Sequence, residues 1–254
     1  MKTNKKPNFL DWNYNILTSS IKKIDLNIFL IVILDFLFYF LSGYLVILWL
    51  QRVQAKIAAF NLPSDIVSLG YDRAQQLIKE TRIFYYLLLF SFILILIAII
   101  FLASILKGII WAKTTKTKIS LALISKFLGA NLIWMSFWFA LVILISLFVE
   151  PTSAPMFMIV AIVLGLYFTN TLYTIFMRKK KLKSILEAIK LNIVKIHLFL
   201  LPYFVLLLLL FIILRAGNLL KFNYSTFLLS FLVIIYAAFV RYYVSTLVTD
   251  IEKQ

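Results

Sequence analysis

The residue in this 254-residue chain whose chemistry most needs explaining is Asp35, a carboxylate set inside the apolar run "FLIVILDFLFYF" (29–40). A carboxylate in hydrocarbon is costly unless it is paired or neutral, so such a residue is a functional candidate by default. Arg241, at the end of the last apolar run, is its candidate counter-ion. A structural pairing, or a neutral hydrogen-bonded carboxyl, is expected ahead of a proton or substrate pathway. The polar patch Thr169, Asn170, Thr171 and Thr174 falls at similar depth in the fourth apolar run. Residues of this kind usually tie membrane helices together.

Other chemistry is thinly represented. The ten acidic residues are Asp11, Asp25, Asp35, Asp65, Asp72, Glu80, Glu150, Glu187, Asp250 and Glu252, and no two form a paired-carboxylate or metal-binding motif inside an apolar run. Without cysteine there is no thiolate nucleophile, disulfide framework or cysteine metal site. The lone histidine, His197, opens the fifth apolar run and reads as a surface anchor or core residue. No two of the six glycines lie within six residues of each other, which excludes the usual phosphate-cradling loop. "SILK" (104–107) matches Ser-x-x-Lys, but at the end of a membrane helix it reads as a snorkelling lysine after a small residue. No catalytic residue, metal or cofactor is expected.

The elements that must position these residues are set by composition. A chain that is 63% hydrophobic, with a mean hydropathy of +1.01, cannot bury all its apolar side chains in a water-soluble core. Six runs, Ile28–Leu50, Ile83–Leu106, Asn131–Val149, Met156–Met177, Ile196–Leu214 and Phe222–Val244, each approach the ~20 residues that cross the hydrocarbon layer as a helix. Backbone groups in lipid must satisfy one another, and barrel-like alternation is absent, so the expected fold is all-α and polytopic.

Charge then orients the spans. Of the 26 Lys and Arg, 19 fall in residues 1–27, 107–130, 178–195 and from Arg241 onward, while Arg52, Lys56, Arg73, Lys79, Arg82, Arg215 and Lys221 fall on the other side. Cytoplasmic loops retain positive charge, which predicts a multi-pass plasma-membrane protein with both termini inside. The polar first 27 residues and the long first run argue against a cleaved signal peptide, so Ile28–Leu50 is read as a signal anchor. The net charge of +16 sits mostly beside the bilayer and is assigned to anionic headgroups rather than nucleic acid, each basic residue near the surface contributing about 1 kcal/mol. Lys22, Lys23, Lys116, Lys118, Lys179, Lys180, Lys181 and Lys183 are the candidate headgroup ligands.

Three asparagines suggest a repeat. Asn27 in "IDLNIFL" (24–30), Asn131 in "LGANLIW" (128–134) and Asn192 in "IKLNIVK" (189–195) each stand where a basic segment gives way to an apolar run. Leucines 17, 121 and 182 lie ten residues upstream, and Ile24, Leu128 and Ile189 three upstream. Helical spacing in Leu17, Ile21, Ile24, Ile28 and in Leu182, Ile185, Ile189, Ile193, Ile196 describes amphipathic helices suited to the membrane interface. The expectation is one membrane domain, 1–254, made of three units at about 11–112, 113–180 and 181–254. Each unit is an interfacial helix followed by a transmembrane hairpin, with the asparagine capping the corner between them. The even spans exit through "ILK" (105–107), "FMR" (176–178) and "FVR" (239–241). An external helical hairpin is expected over 51–82, divided by "LPSD" (62–65), and could dock an external partner.

The succession "KSILEAIKLNIVKIHLFLLPYF" (183–204) resembles part of six-helix prokaryotic integral membrane proteins built of hairpins with basic interfacial helices. That resemblance implies a layout and carries no catalytic residues. The functional expectation is a non-enzymatic membrane protein that binds anionic lipid and, in some settings, a membrane or external protein partner. A transporter permease whose ATPase docks on 113–130 or 178–195 is the alternative, and a lipid-modifying membrane enzyme, which lacks a visible site, comes third.

Overall fold

A computed structural model describes residues 8–59, 71–219 and 225–253, and among these the regular structure is entirely α-helical. The helices are α1 (Phe9–Lys23), α2 (Asn27–Ala59), α3 (Tyr71–Thr114), α4 (Leu121–Phe148), α5 (Ala154–Lys179), α6 (Ser184–Val194), α7 (Ile196–Leu219) and α8 (Ser225–Ile251). Six of them, all but α1 and α6, are long and apolar enough to cross a membrane. They coincide with the six runs read from sequence and mark the chain as an integral membrane protein. With 33 and 44 residues, α2 and α3 extend for roughly 50 and 65 Å, well past the hydrocarbon thickness. The proposed turn at "LPSD" (62–65) lies outside the described residues.

Local signals explain most helix ends. Ser120 caps α4 by accepting from the Leu123 N–H at 3.2 Å, the role expected of serine at this position. Pro155 sits in the first turn of α5, where a missing N–H costs nothing. Helix α5 ends on Lys180 in the left-handed conformation (φ 55°). Between α6 and α7 a single residue, Lys195, interrupts the helical path.

Two of the three expected short amphipathic helices are separate elements, α1 and α6. The third is not formed: residues 121–148 make one continuous helix through Asn131. The reason is local. No proline or competing cap interrupts "LALISKFLGANLIW", and the Asn131 amide is engaged by side chains from other helices rather than by a broken turn.

The chain forms two compact units, Met1–Phe36 with Ser104–Gln254, and Leu37–Ala103. In the first, α5 packs against α4, α6 and α8, while α8 also packs against α1 and α7. Its core is aromatic: Tyr173 pairs with Trp111 and Phe127, and Phe127 with Phe176, all edge-to-face with centroids 4.8–5.8 Å apart, the arrangement ring quadrupoles favour. Tyr167, Phe199 and Tyr203 make a second such group where α5 meets α7. In the other unit, the Trp49 indole N–H donates to Ser91 Oγ at 3.0 Å and its ring packs on Phe92.

Candidate functional site

The first unit carries its chemistry in two places, an ion cluster within the spans and a charged rim where several helices end. Asp35 lies eight residues into α2, roughly 12 Å along its axis, and is fully buried. Both terminal guanidinium nitrogens of Arg241, Nη1 and Nη2, donate to its carboxylate, with Nη2 to Oδ1 at 2.9 Å. This fork is the geometry that arginine's planar head matches. Lys107 Nζ reaches the same carboxylate at 2.6 Å, its side chain 14% exposed. The pairing of Asp35 with Arg241 is thus present, and Lys107 is a second cation that the sequence reading treated only as snorkelling. Ile31, Ile110, Ala238 and Tyr242, each within about a turn of one of these ions on the same three helices, form a buried apolar cluster of their own.

Asparagines 131 and 192 are wholly buried and tie helices together. The Asn131 amide nitrogen donates to Ser104 Oγ at 2.9 Å, while its carbonyl accepts from the Tyr173 hydroxyl. Asn192 accepts from Thr171 at its side-chain carbonyl (2.8 Å) and from Tyr167 at its backbone carbonyl (2.9 Å). Both are therefore anchored on α5. Asn27 does stand at a corner, as the first residue of α2, but the capping oxygen belongs to Asp25, whose Oδ1 accepts the Asn27 N–H at 3.2 Å. The three aligned asparagines thus occupy three different settings, and none of their amides caps the turn it was assigned. Of the patch on α5, Thr169 accepts from Trp134 Nε1 and so ties α5 to α4, whereas the Thr174 hydroxyl donates within its own helix to the Asn170 carbonyl.

At the rim, α1 is fixed to α8. Trp12 Nε1 donates to Asp250 at 2.6 Å and Lys23 Nζ to Thr246 Oγ1 at 3.2 Å. Asp25 accepts from the Tyr242 hydroxyl and pairs with Lys116 at 3.3 Å. Arg178 pairs with Glu252, and Lys179 bridges Glu187 and Glu252. Burial would raise the Asp25 carboxyl, but hydrogen bonds from Asn27, Lys116 and Tyr242 outweigh it and hold the group below its usual range. Burial, followed by the neighbouring Lys253 and Lys116 cations, holds the Lys23 ammonium below the usual lysine range against the pull of Asp250.

All eight candidate headgroup lysines are exposed. Helix α1 turns Ile16 and Ser20 inward and leaves Leu10, Tyr14, Leu17 and Ile21 exposed along one stripe. Helix α6 does the same with small or polar contacts: Ser184, Ala188 and Asn192 are buried, while Leu186, Ile193 and Val194 are exposed. His197 is exposed. Among the described residues no cluster of His, Asp or Glu could hold a metal ion. The contacts that Asp250, Glu252 and Asp25 make with other helices were invisible from sequence because their partners lie far away along the chain. No protein-family model, curated protein or solved structure matches the chain.

Proposed function

We propose that this chain is a non-enzymatic protein of the cell membrane, with cytoplasmic termini, whose basic end binds anionic phospholipid. The observation that carries the reading is the stripe on α1: Leu10, Tyr14, Leu17 and Ile21 face away from the protein, while the last turn brings Lys22 and Lys23. A helix with an outward apolar stripe and a cationic end lies stably at the boundary of headgroups and acyl chains. Helix α6 repeats the pattern with Leu186, Ile193 and Val194 beside the run Lys179–Lys183. The 19-to-7 division of Lys and Arg supports the orientation. In this reading the ion cluster at Asp35 locks three helices together and the rim presents the charge.

The test is lipid retention by the whole protein in bilayer discs. Lys179 is partly neutralised by Glu187 and Glu252, so replacing Lys179, Lys180, Lys181 and Lys183 by Gln should cost mainly the other three contributions, about 3 kcal/mol at low salt. Wild-type preference for anionic over neutral lipid should fade as salt shortens the Debye length below ~10 Å. Equal retention of neutral and anionic lipid by the wild type would sink the reading.

A further inference from the structure

Where α1, α3, α5 and α8 end, the rim encloses a pocket of about 380 Å³, within the size range of small-ligand sites. Three cations, Lys23, Lys116 and Arg178, line it together with hydroxyl-bearing residues at the end of α3 and on α8, and among the described residues no carboxylate does. Two carboxylates touch the lining from outside, Asp25 on Lys116 and Glu252 on Arg178. Asp25 and Glu252 pair with Lys116 and Arg178, and Lys23 is left without an ion pair: among the described residues no carboxylate lies within ion-pair distance of its ammonium, whose hydrogen bond goes to Thr246, and Asp250 acts on it only from farther away. Lys253 and Lys116 add positive field there, and Asp250 partly offsets it.

Cations at helix C-termini often serve only to offset the backbone dipole. Here the carbonyls of Trp111, Ala112 and Lys113 at the end of α3 already accept from the backbone N–H groups of Thr115, Thr117 and Lys116, and hydroxyls add to this. Thr114 donates to the Ile110 carbonyl and Thr115 to that of Trp111. On α8 Thr246 and Thr249 likewise donate to the carbonyls of Tyr242 and Ser245. This has a chemical consequence. With their protons committed to backbone, these hydroxyls present lone pairs, one of those on Thr246 being taken by Lys23, so the pocket combines charged N–H donors with neutral oxygen acceptors. A bare anion would use only the first set. A phosphoester that also carries hydroxyl groups would use both.

We propose that the pocket binds a hydroxylated phosphoester of the glycerol phosphate type, with Lys23, Lys116 and Arg178 on the phosphate and the threonine oxygens accepting from ligand hydroxyls. Charge-assisted hydrogen bonds of this kind are the strong ones. The ligand is either the headgroup of phosphatidylglycerol or a free glycerol phosphate. Its lipid form rests on the reading above that this end meets anionic lipid; its soluble form does not.

The whole protein, extracted from bilayers containing equal phosphatidylglycerol and phosphatidylserine, should retain the former in excess, counted by native mass spectrometry. In parallel, sn-glycerol 3-phosphate is added to detergent-solubilised protein and the unfolding midpoint followed. Lys23→Gln should weaken whichever ligand binds by about tenfold, the loss of one hydrogen bond to a charged group. Thr246→Val should weaken it too, and Thr246→Ser should restore it. Because Lys23 and Thr246 also bond to each other, each variant's own unliganded midpoint, taken at the same pH, is the baseline from which its ligand shift is read.

Phosphatidylglycerol selectivity that Lys23→Gln abolishes supports the site with lipid as its source. A midpoint shift by glycerol phosphate that Lys23→Gln abolishes supports it with the soluble pool as its source. Equal retention of the two lipids with no shift overturns the pocket, while the wider lipid reading survives if the Lys179–Lys183 substitutions still release both. Retention of no anionic lipid alongside an intact glycerol phosphate shift overturns that wider reading alone.

Discussion

Asp35→Asn removes a negative charge from between two cations while preserving side-chain size and one acceptor. At an effective dielectric of 20, the Lys107–Asp35 contact at 2.6 Å is a gross attraction of about 6 kcal/mol, and the Arg241 fork is a second attraction on the same carboxylate. Desolvation of the ions opposes these by several kcal/mol each, so breaking the cluster should cost roughly 3–5 kcal/mol. Arg241→Gln should approach the same loss, since Lys107 alone then faces the buried carboxylate. Lys107→Met should cost less, about 1.5–3 kcal/mol, because the fork remains and the lysine head is partly exposed. Reversible unfolding in mixed micelles, followed by fluorescence of the five tryptophans, measures each loss. Asp35→Asn combined with Arg241→Gln should cost at least 1 kcal/mol less than the sum of the two single changes. Additivity within ~0.5 kcal/mol would refute the coupling and with it the role of the cluster as a lock.

A Cβ on Gly108 would lie 3.0 Å from Ile124 Cδ1 and 3.2 Å from buried Phe127, so Gly108→Val should destabilise by about 1–3 kcal/mol. At Gly43 nothing lies within 4 Å, and Gly43→Ala should raise the unfolding midpoint through helix propensity, by up to about 1 kcal/mol. Because Lys23 titrates below 10.5 in the fold, the unfolded chain holds that proton to higher pH. Its contribution to stability should therefore increase as pH rises from the folded value toward 10.5, and Lys23→Gln should flatten that rise in the unfolding midpoint. In this cysteine-free chain, single cysteines at Asn15 and Lys56 should react with an impermeant reagent from opposite sides of the membrane; reaction of both from one side would reject the proposed orientation.

The six spans were readable because bilayer thickness sets both their length and their apolarity, and neither depends on what packs against what. The Asp35–Arg241 pair was readable for a related reason, since few charges lie deep enough in the runs to answer a buried carboxylate. Lys107 was misjudged because sequence gives depth along a residue's own helix and says nothing about its neighbours. Its exit "ILK" nonetheless aligns with "FVR", and those two exits supply the two cations on Asp35. Asn131 shows the opposite limit. An amide at a broken turn and an amide bridging intact helices have the same local sequence, and only Ser104 and Tyr173, brought in by other helices, distinguish them. The rim pocket was illegible throughout, because its walls come from residues 23, 114–116, 178 and 242–249.

The partners of Asp35 also set an order in time for its synthesis. Lys107 follows it by 72 residues and Arg241 by 206. At ~5–20 residues per second, the ribosome delivers the lysine after roughly 4–14 s and the arginine after roughly 10–40 s. For most of that interval the first span holds a carboxylate in the bilayer with only Lys107 to answer it. The lysine is the early chaperone of that charge, and the arginine closes the fork when the last span arrives.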